Sequence, residues 1–121
     1  MKRNKFFQFN RNKYNAKKTT CLSNHSHDSR GESDYCNYLL SLVKEKEIES
    51  YITQVRYPLA INGHHITTHI VDFQISNTDG STEVVEYKGF ATEIWRIKKK
   101  LFEAIYTDIP YTVVNHREKG W

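Results

Sequence analysis

Cysteine is scarce in this chain: Cys21 and Cys36 are the only two in 121 residues, and no CxxC pair exists. That usage suits a reducing compartment, with buried or free thiols. Long apolar runs are missing, and nothing approaches the roughly 18 consecutive apolar residues of a membrane span. The basic N-terminal stretch has no apolar core of the kind a secretory signal needs, so a cytoplasmic protein is expected. No GxxxxGK[ST] loop is present, which argues against a nucleotide cofactor. Acidic residues are absent from the first 20 positions, which hold Lys2, Arg3, Lys5, Arg11, Lys13, Lys17 and Lys18. The rest of the chain has eleven basic and fourteen acidic residues, so the net charge of +4 conceals a mildly acidic body with a basic arm.

The length fits one domain with a single modest core. Residues 1–28 lack hydrophobic periodicity and read as an arm or loop; residues 29–121 read as the domain. In the arm, Phe6, Phe7, Phe9 and Tyr14 are interleaved with the basic residues. Two readings stand side by side. Lys13, Lys17 and Lys18 contact phosphates while the aromatics stack on bases, or the segment is a solubilising tail.

A helix is expected from about Arg30 to Lys46, with Ser29 and Glu32 forming a capping box and Tyr35, Cys36, Leu39, Leu42 and Val43 as its apolar stripe. Two extended runs follow, Ile52–Ile61 and Ile66–Ser76, joined at Asn62-Gly63, a strong hairpin signal. A third strand covers Thr82–Lys88. Thr92 can cap a second helix, about Glu93–Tyr106, with Ile94, Ile97, Leu101 and Ile105 turned inward. Pro110 lies beyond its end, and a last strand spans Tyr111–Asn115. The order αβββαβ implies an α/β (α+β) fold: a mixed central sheet flanked by helices, its final strand–helix–strand unit a right-handed parallel crossover.

The chemistry is concentrated at Asp72 and at Glu86-Tyr87-Lys88. A three-residue loop, Thr78-Asp79-Gly80, with Gly80 in the left-handed position, pairs Asn77 with Ser81. Counting back sets Asp72 opposite Glu86. The same register matches Val71, Phe73 and Ile75 to Val85 and Tyr87, apolar against apolar; a one-residue slip would destroy both matches. Facing residues lie about 4.5–5.5 Å apart, where two carboxylates repel unless something positive intervenes. A hard divalent cation and a lysine suit that place. Asp72, Glu86 and the Tyr87 backbone carbonyl are the candidate ligands for Mg²⁺, with Mn²⁺ as a substitute, and Lys88 the group that steadies charge at a phosphate. The bland counterpart is an edge hairpin with a surface salt bridge.

Other candidates carry two readings each. Glu32 either completes the cap or, on the inward face, reaches the metal directly or through water. Lys98 lies on the apolar stripe of the second helix; it faces the site or extends out to water. Arg96, Lys99 and Lys100 are DNA-backbone contacts or plain surface. For the first hairpin, a two-residue turn mismatches the apolar faces. A longer connection or a bulge restores the match and sets Gln54 opposite Asp72. The roles of the six histidines stay open. His64 and His65 fall at a turn, and a zinc site from Cys21, His25, His27 and Cys36 fits no standard finger spacing.

Taken in order, these stretches resemble the PD-(D/E)XK nuclease superfamily, and more closely a group of small phage and prophage endonucleases similar to Holliday-junction resolvases. The matching segments are Lys13-Tyr14-Asn15-Ala16-Lys17-Lys18-Thr19, Asp28-Ser29-Arg30-Gly31-Glu32, Gln54, Val71-Asp72-Phe73, Glu86-Tyr87-Lys88-Gly89, and Trp95 through Glu103. One departure is Val71, where the superfamily often has proline. The resemblance implies a restriction-endonuclease-like core. It implies Asp72 and Glu86 as metal ligands, Lys88 as the catalytic lysine, Glu32 as a helix acid near the metal, and Gln54 and Lys98 as supporting residues. It also implies a homodimer acting on DNA, including four-way junctions, in the cytoplasm of a phage host. A non-catalytic nucleic-acid-binding protein that retains the fold is the alternative.

Overall fold

The computed structural model describes residues 19–22, 26, 27 and 30–115; for Thr19, Ser26 and His27 only the backbone is described. Two short strands, β1 (Thr19–Thr20) and β2 (Ser26–His27), pair antiparallel. Then come helix α1 (Arg30–Lys44), strands β3 (Ser50–Ile61), β4 (His64–Ser76) and β5 (Thr82–Tyr87), helix α2 (Glu93–Ile105) and strand β6 (Tyr111–Val114). From α1 onward the order is αβββαβ, as expected. The main sheet runs β3-β4-β5-β6, antiparallel except for the parallel β5–β6 pair, so it is mixed.

The β1–β2 pair lies in a stretch that hydropathy alone reads as loop. Its reason is visible in the packing: Cys21 is buried with Cys36, Tyr35 and Leu39 of α1, and the Leu22 N–H donates to Asn37 Oδ1 at 2.6 Å. The Cys21 and Cys36 sulfurs lie 2.9 Å apart as free thiols. Burial and the Cys21 contact push the Cys36 thiol up to about 12. Ser29, the expected cap of α1, falls outside the described residues, as do Lys13, Lys17, Lys18, His25 and His116.

Helix α1 ends two residues early. Lys46 adopts φ 61°; the Glu47 N–H bonds the Leu42 carbonyl at 2.8 Å and the Lys46 N–H bonds that of Val43 at 3.0 Å. These two bonds form a Schellman closure, usually built on glycine.

The sheet is buried on both faces. On one, Phe73, Ile75, Val85 and Tyr87 pack with Tyr35, Cys36 and Leu39 of α1. On the other, Tyr57, Leu59, Val71 and Val84 pack with Phe102 of α2. Val71 and Phe73 therefore join opposite cores although they are two apart, where strict alternation would put them together. The switch occurs at Gln54 and Asp72. Gln54 has φ 54° in mid-strand, and the β3–β4 ladder skips this pair between Thr53↔Phe73 and Val55↔Val71.

The Asn62-Gly63 turn has two residues, both with positive φ, pairing Ile61 with His64. A register shift between Leu59 and Ala60, where Leu59 pairs with Thr67 and Ala60 with His65, supplies the bulge that restores the match. The second hairpin has the expected loop: the Asn77 N–H bonds the Ser81 carbonyl at 2.9 Å, and Gly80 has φ 90°.

Helix α2 starts as expected, Thr92 Oγ1 accepting from the Trp95 N–H at 3.1 Å. Its inward face keeps Leu101 and Ile105 of the expected stripe but not Ile94 and Ile97. Ile94 and Ile97 are 71% and 54% exposed, and Phe102 is the fully buried residue, with Leu101, Ile105 and Tyr106 packed beside it. Simple i, i+3, i+4 counting fits either stripe; the ring of Phe102 decides, because it stacks among Tyr57, Tyr106 and Tyr111 at centroid distances of 4.9–5.1 Å. Among the described residues no helix is long and apolar enough to cross a membrane.

Candidate active site

The β4–β5 ladder pairs Phe73 with Val85 and stops there. One residue further, at Asp72 and Glu86, the two strands part. Beyond the fork the Tyr87 N–H has lost its ladder partner and donates to Asp72 Oδ2 at 2.9 Å. A backbone donor left over by strand separation thus fixes the aspartate, as an unpaired buried N–H requires.

Gln54 lies across from Asp72 on the other side. Its Nε2 donates to Asp72 Oδ1 at 3.3 Å and to Glu32 Oε2 at 3.2 Å. The positive φ of Gln54 is uncommon for a residue other than Gly, Asn or Asp, and such strain gathers at functional sites. Glu32 reaches the site from the first turn of α1, where it is 4% exposed. Gly31 beside it makes that approach possible, since the Tyr87 ring fills the space a Cβ would occupy, 2.2 Å away.

Glu86 is 3% exposed and held by three side chains. Tyr111 OH donates to Oε1 at 2.5 Å, His69 Nε2 lies 3.1 Å from the same oxygen, and Trp95 Nε1 donates to Oε2 at 3.0 Å. The Lys88 ammonium is 3.9 Å from Oε2 and sits over the Trp95 ring at 5.1 Å.

The two facing acids are driven apart electrostatically. Burial, then the Glu32 and Glu86 charges, raise Asp72 well above the ordinary aspartate range; the Tyr87 N–H and Lys88 oppose this without winning. Burial pushes Glu86 up too, but His69, Tyr111, Trp95 and Lys88 outweigh it, and Glu86 ends below its usual value. Burial and the neighbouring Glu86 raise Tyr111, which keeps its proton as a donor.

A family profile matches residues 11–119, under the description "Protein of unknown function (DUF1064)". The chain belongs to the DUF1064 family. No curated protein and no solved structure matches it. The site of this DUF1064 chain is accordingly read from its own residues.

Five of the expected residues come together: Glu32, Gln54, Asp72, Glu86 and Lys88. Lys98 is set apart. It is half-buried as its place on the helix suggests, but its ammonium donates to the Thr68 carbonyl at 3.1 Å, beside His69 in the strand. Lys99 is engaged by Glu103 at 3.1 Å and lies over the Tyr111 ring at 5.0 Å, while Arg96 and Lys100 are exposed. His64 and His65 are exposed, as a turn requires. The sequence reading misses His69, Trp95 and Tyr111. His69 and Tyr111 carry a signal in retrospect, each a polar group on a strand opposite buried apolar positions.

The donor set suits a hard divalent cation. Asp72 and Glu86 offer carboxylate oxygens, and Asp72 is raised first by its burial and then by the neighbouring Glu32 and Glu86 charges. Among the described residues no group of three or more His, Cys, Asp or Glu side chains is arranged to hold an ion. Two carboxylates would suffice for Mg²⁺, which keeps several waters. Gln54 bridges Glu32 to Asp72.

Proposed function

We propose that this chain is a metal-dependent DNA endonuclease of the PD-(D/E)XK type that acts on branched DNA, including four-way junctions, as a homodimer in a phage host's cytoplasm. One observation carries the reading: at the β4–β5 fork, Asp72 and Glu86 face each other beside Lys88, with Glu32 and Gln54 closing the cluster. Mg²⁺, or Mn²⁺ in its place, would supply Lewis acidity and neutralise charge at the phosphate.

The chain's own groups supply the rest. Asp72 and Glu86 would hold the ion, with the Tyr87 carbonyl as a further oxygen. Asp72 would hold the ion in its ionised form, since a ligand carboxylate must be ionised. Gln54 keeps the Asp72 and Glu32 carboxylates oriented toward one point. Lys88, its ammonium held between Glu86 and the Trp95 ring, stabilises the charge that builds on the phosphate oxygens. Arg96 and Lys100, exposed on α2, contact the DNA backbone, as do the basic residues of the arm; Lys98 steadies β4 near His69.

The test is cleavage of four-way, flap, linear duplex and single-stranded DNA with Mg²⁺ or Mn²⁺, alongside Asp72→Ala. Metal-dependent cutting that Asp72→Ala abolishes supports the reading, and failure to cut any substrate sinks it. Equal cutting of junction and linear duplex removes the preference for branched DNA and leaves the nuclease. The second reading is a non-catalytic nucleic-acid-binding protein that retains the fold. It predicts DNA binding unaffected by divalent ions and by Asp72→Ala.

A further inference from the structure

Glu86 is bound in an unusually one-sided way, and the proton bookkeeping shows what that does. A carboxylate offers about four acceptor positions, two on each oxygen. Tyr111 has one hydroxyl proton, and it is committed to Glu86 Oε1. His69 Nε2 lies 2.7 Å from the Tyr111 oxygen and 3.1 Å from Glu86 Oε1. With the tyrosine proton already spent, His69 must be the donor in both contacts, so its Nε2 carries hydrogen. Oε1 is thereby occupied twice. Oε2 accepts once, from Trp95 Nε1. The remaining position is on Oε2, the oxygen nearest the Lys88 ammonium.

We infer that His69, Tyr111 and Trp95 are positioning residues that make Glu86 a single-oxygen ligand and so set the ion preference of the site for Mg²⁺ over Ca²⁺. The inference rests on the metal-site reading given above. The physical reason is coordination number. Ca²⁺ takes 6–8 oxygens and often a bidentate carboxylate, whereas Mg²⁺ keeps a tight octahedron with several waters and one or two carboxylates. A glutamate whose Oε1 is closed by two donors cannot turn to offer both oxygens. The three donors come from separate elements, β4, β6 and α2; His69 and Tyr111 pack against Phe102 of α2, whose ring lies 6.2 Å from His69 and 5.1 Å from Tyr111. The clamp is therefore anchored in the core and does not depend on a surface loop.

The experiment measures Mg²⁺ and Ca²⁺ affinities by calorimetry on the full chain, with melting temperature against each ion as a second readout. The proteins are wild type, Tyr111→Phe, the Tyr111→Phe/His69→Leu pair, and Asp72→Ala. Tyr111→Phe keeps the ring, so it tests the proton without emptying the core. Opening Oε1 is expected to weaken Mg²⁺ roughly 10-fold, the low end for groups that orient a ligand, and to strengthen Ca²⁺ in the same variants. A merely structural role would weaken both ions alike; that result, or an unchanged ratio of the two affinities, overturns the inference while the metal site stands. Wild type that binds neither ion overturns the inference and the metal site together.

Discussion

A methyl group at position 31 has nowhere to go. Alanine in place of glycine ordinarily favours a helix by up to about 1 kcal/mol, but here the added Cβ meets the Tyr87 ring at 2.2 Å, and Tyr87 is itself buried. Overpacking of this sort costs about 1–3 kcal/mol, so Gly31→Ala is expected to lower stability in a denaturant titration and to disturb the neighbouring Glu32. A smaller loss in a Tyr87→Leu background would assign the effect to that contact; an equal loss would not. Asp72 gives a second prediction at this scale. Its folded value is raised, so between the ordinary aspartate value and that raised value the folded chain holds a proton the unfolded chain has lost. Stability of the metal-free protein from this group therefore falls as pH rises through that interval. Glu86, with a lowered value, contributes in the opposite sense: its share is present above the ordinary glutamate value and disappears as pH falls through the folded one. Asp72→Asn removes the first effect. Melting curves in chelator should show Asp72→Asn more stable than wild type at neutral pH and the difference shrinking in acid; a variant less stable at neutral pH contradicts the assignment.

Among the elements, α1 ends on a non-glycine residue in a conformation that costs most L-residues roughly 1–2 kcal/mol. Lys46→Gly is expected to stabilise by up to about 1 kcal/mol, the relief being partly offset by glycine's freedom in the unfolded chain; chemical denaturation reads this, and a loss of stability would contradict the Schellman closure. The absence of a glycine there also explains why the helix end is not legible in the sequence, whereas the turn at Gly80 and the cap at Thr92 are. The register that sets Asp72 across from Glu86 is legible because loop length and apolar alternation agree on it. What alternation hides is the exchange of faces at Gln54 and Asp72: both strands keep their odd-numbered apolar residues, yet Phe73 and Val71 serve different cores. Gln54's opposition to Asp72 follows once a bulge is allowed, but its positive φ has no sequence mark. The α2 stripe is misread for a related reason. Lysines at 98–100 and apolar residues at 94, 97, 101, 102 and 105 allow two faces, and only the aromatic group of Tyr106 at the helix end with Tyr57 and Tyr111 from distant strands selects Phe102. Trp95, Tyr111 and His69 are missed because the contact each makes with Glu86 joins residues far apart in the chain.

On the scale of the whole molecule, charge is divided in a way that makes DNA binding testable without cleavage. The body beyond residue 20 is mildly acidic, and its exposed cations near the site, Arg96 and Lys100, are few. Phe90 before α2, and Ile94 and Ile97 on it, stand exposed, apolar surface of the kind that marks interaction sites. On the proposed DNA-binding reading, most of the phosphate-directed charge is expected from the first 20 residues. Residues 1–12 carry four of those cations, Lys2, Arg3, Lys5 and Arg11. Each phosphate neutralised on duplex DNA adds about 0.9 to the slope of log affinity against log salt. If all four cations engage duplex arms of a junction, deleting residues 1–12 lowers that slope by about 3 to 4 and weakens binding most at low salt. The measurement is a salt series of binding isotherms on a four-way junction with the Asp72→Ala variant, which keeps the substrate whole. An unchanged slope would show that residues 1–12 make no phosphate contacts, and Arg96, Lys100 and the cations of residues 13–18 would have to carry the binding. A slope reduced by only one or two would count the arm's contacts directly, since the slope depends on the number of neutralised phosphates and not on the folded stability of the body.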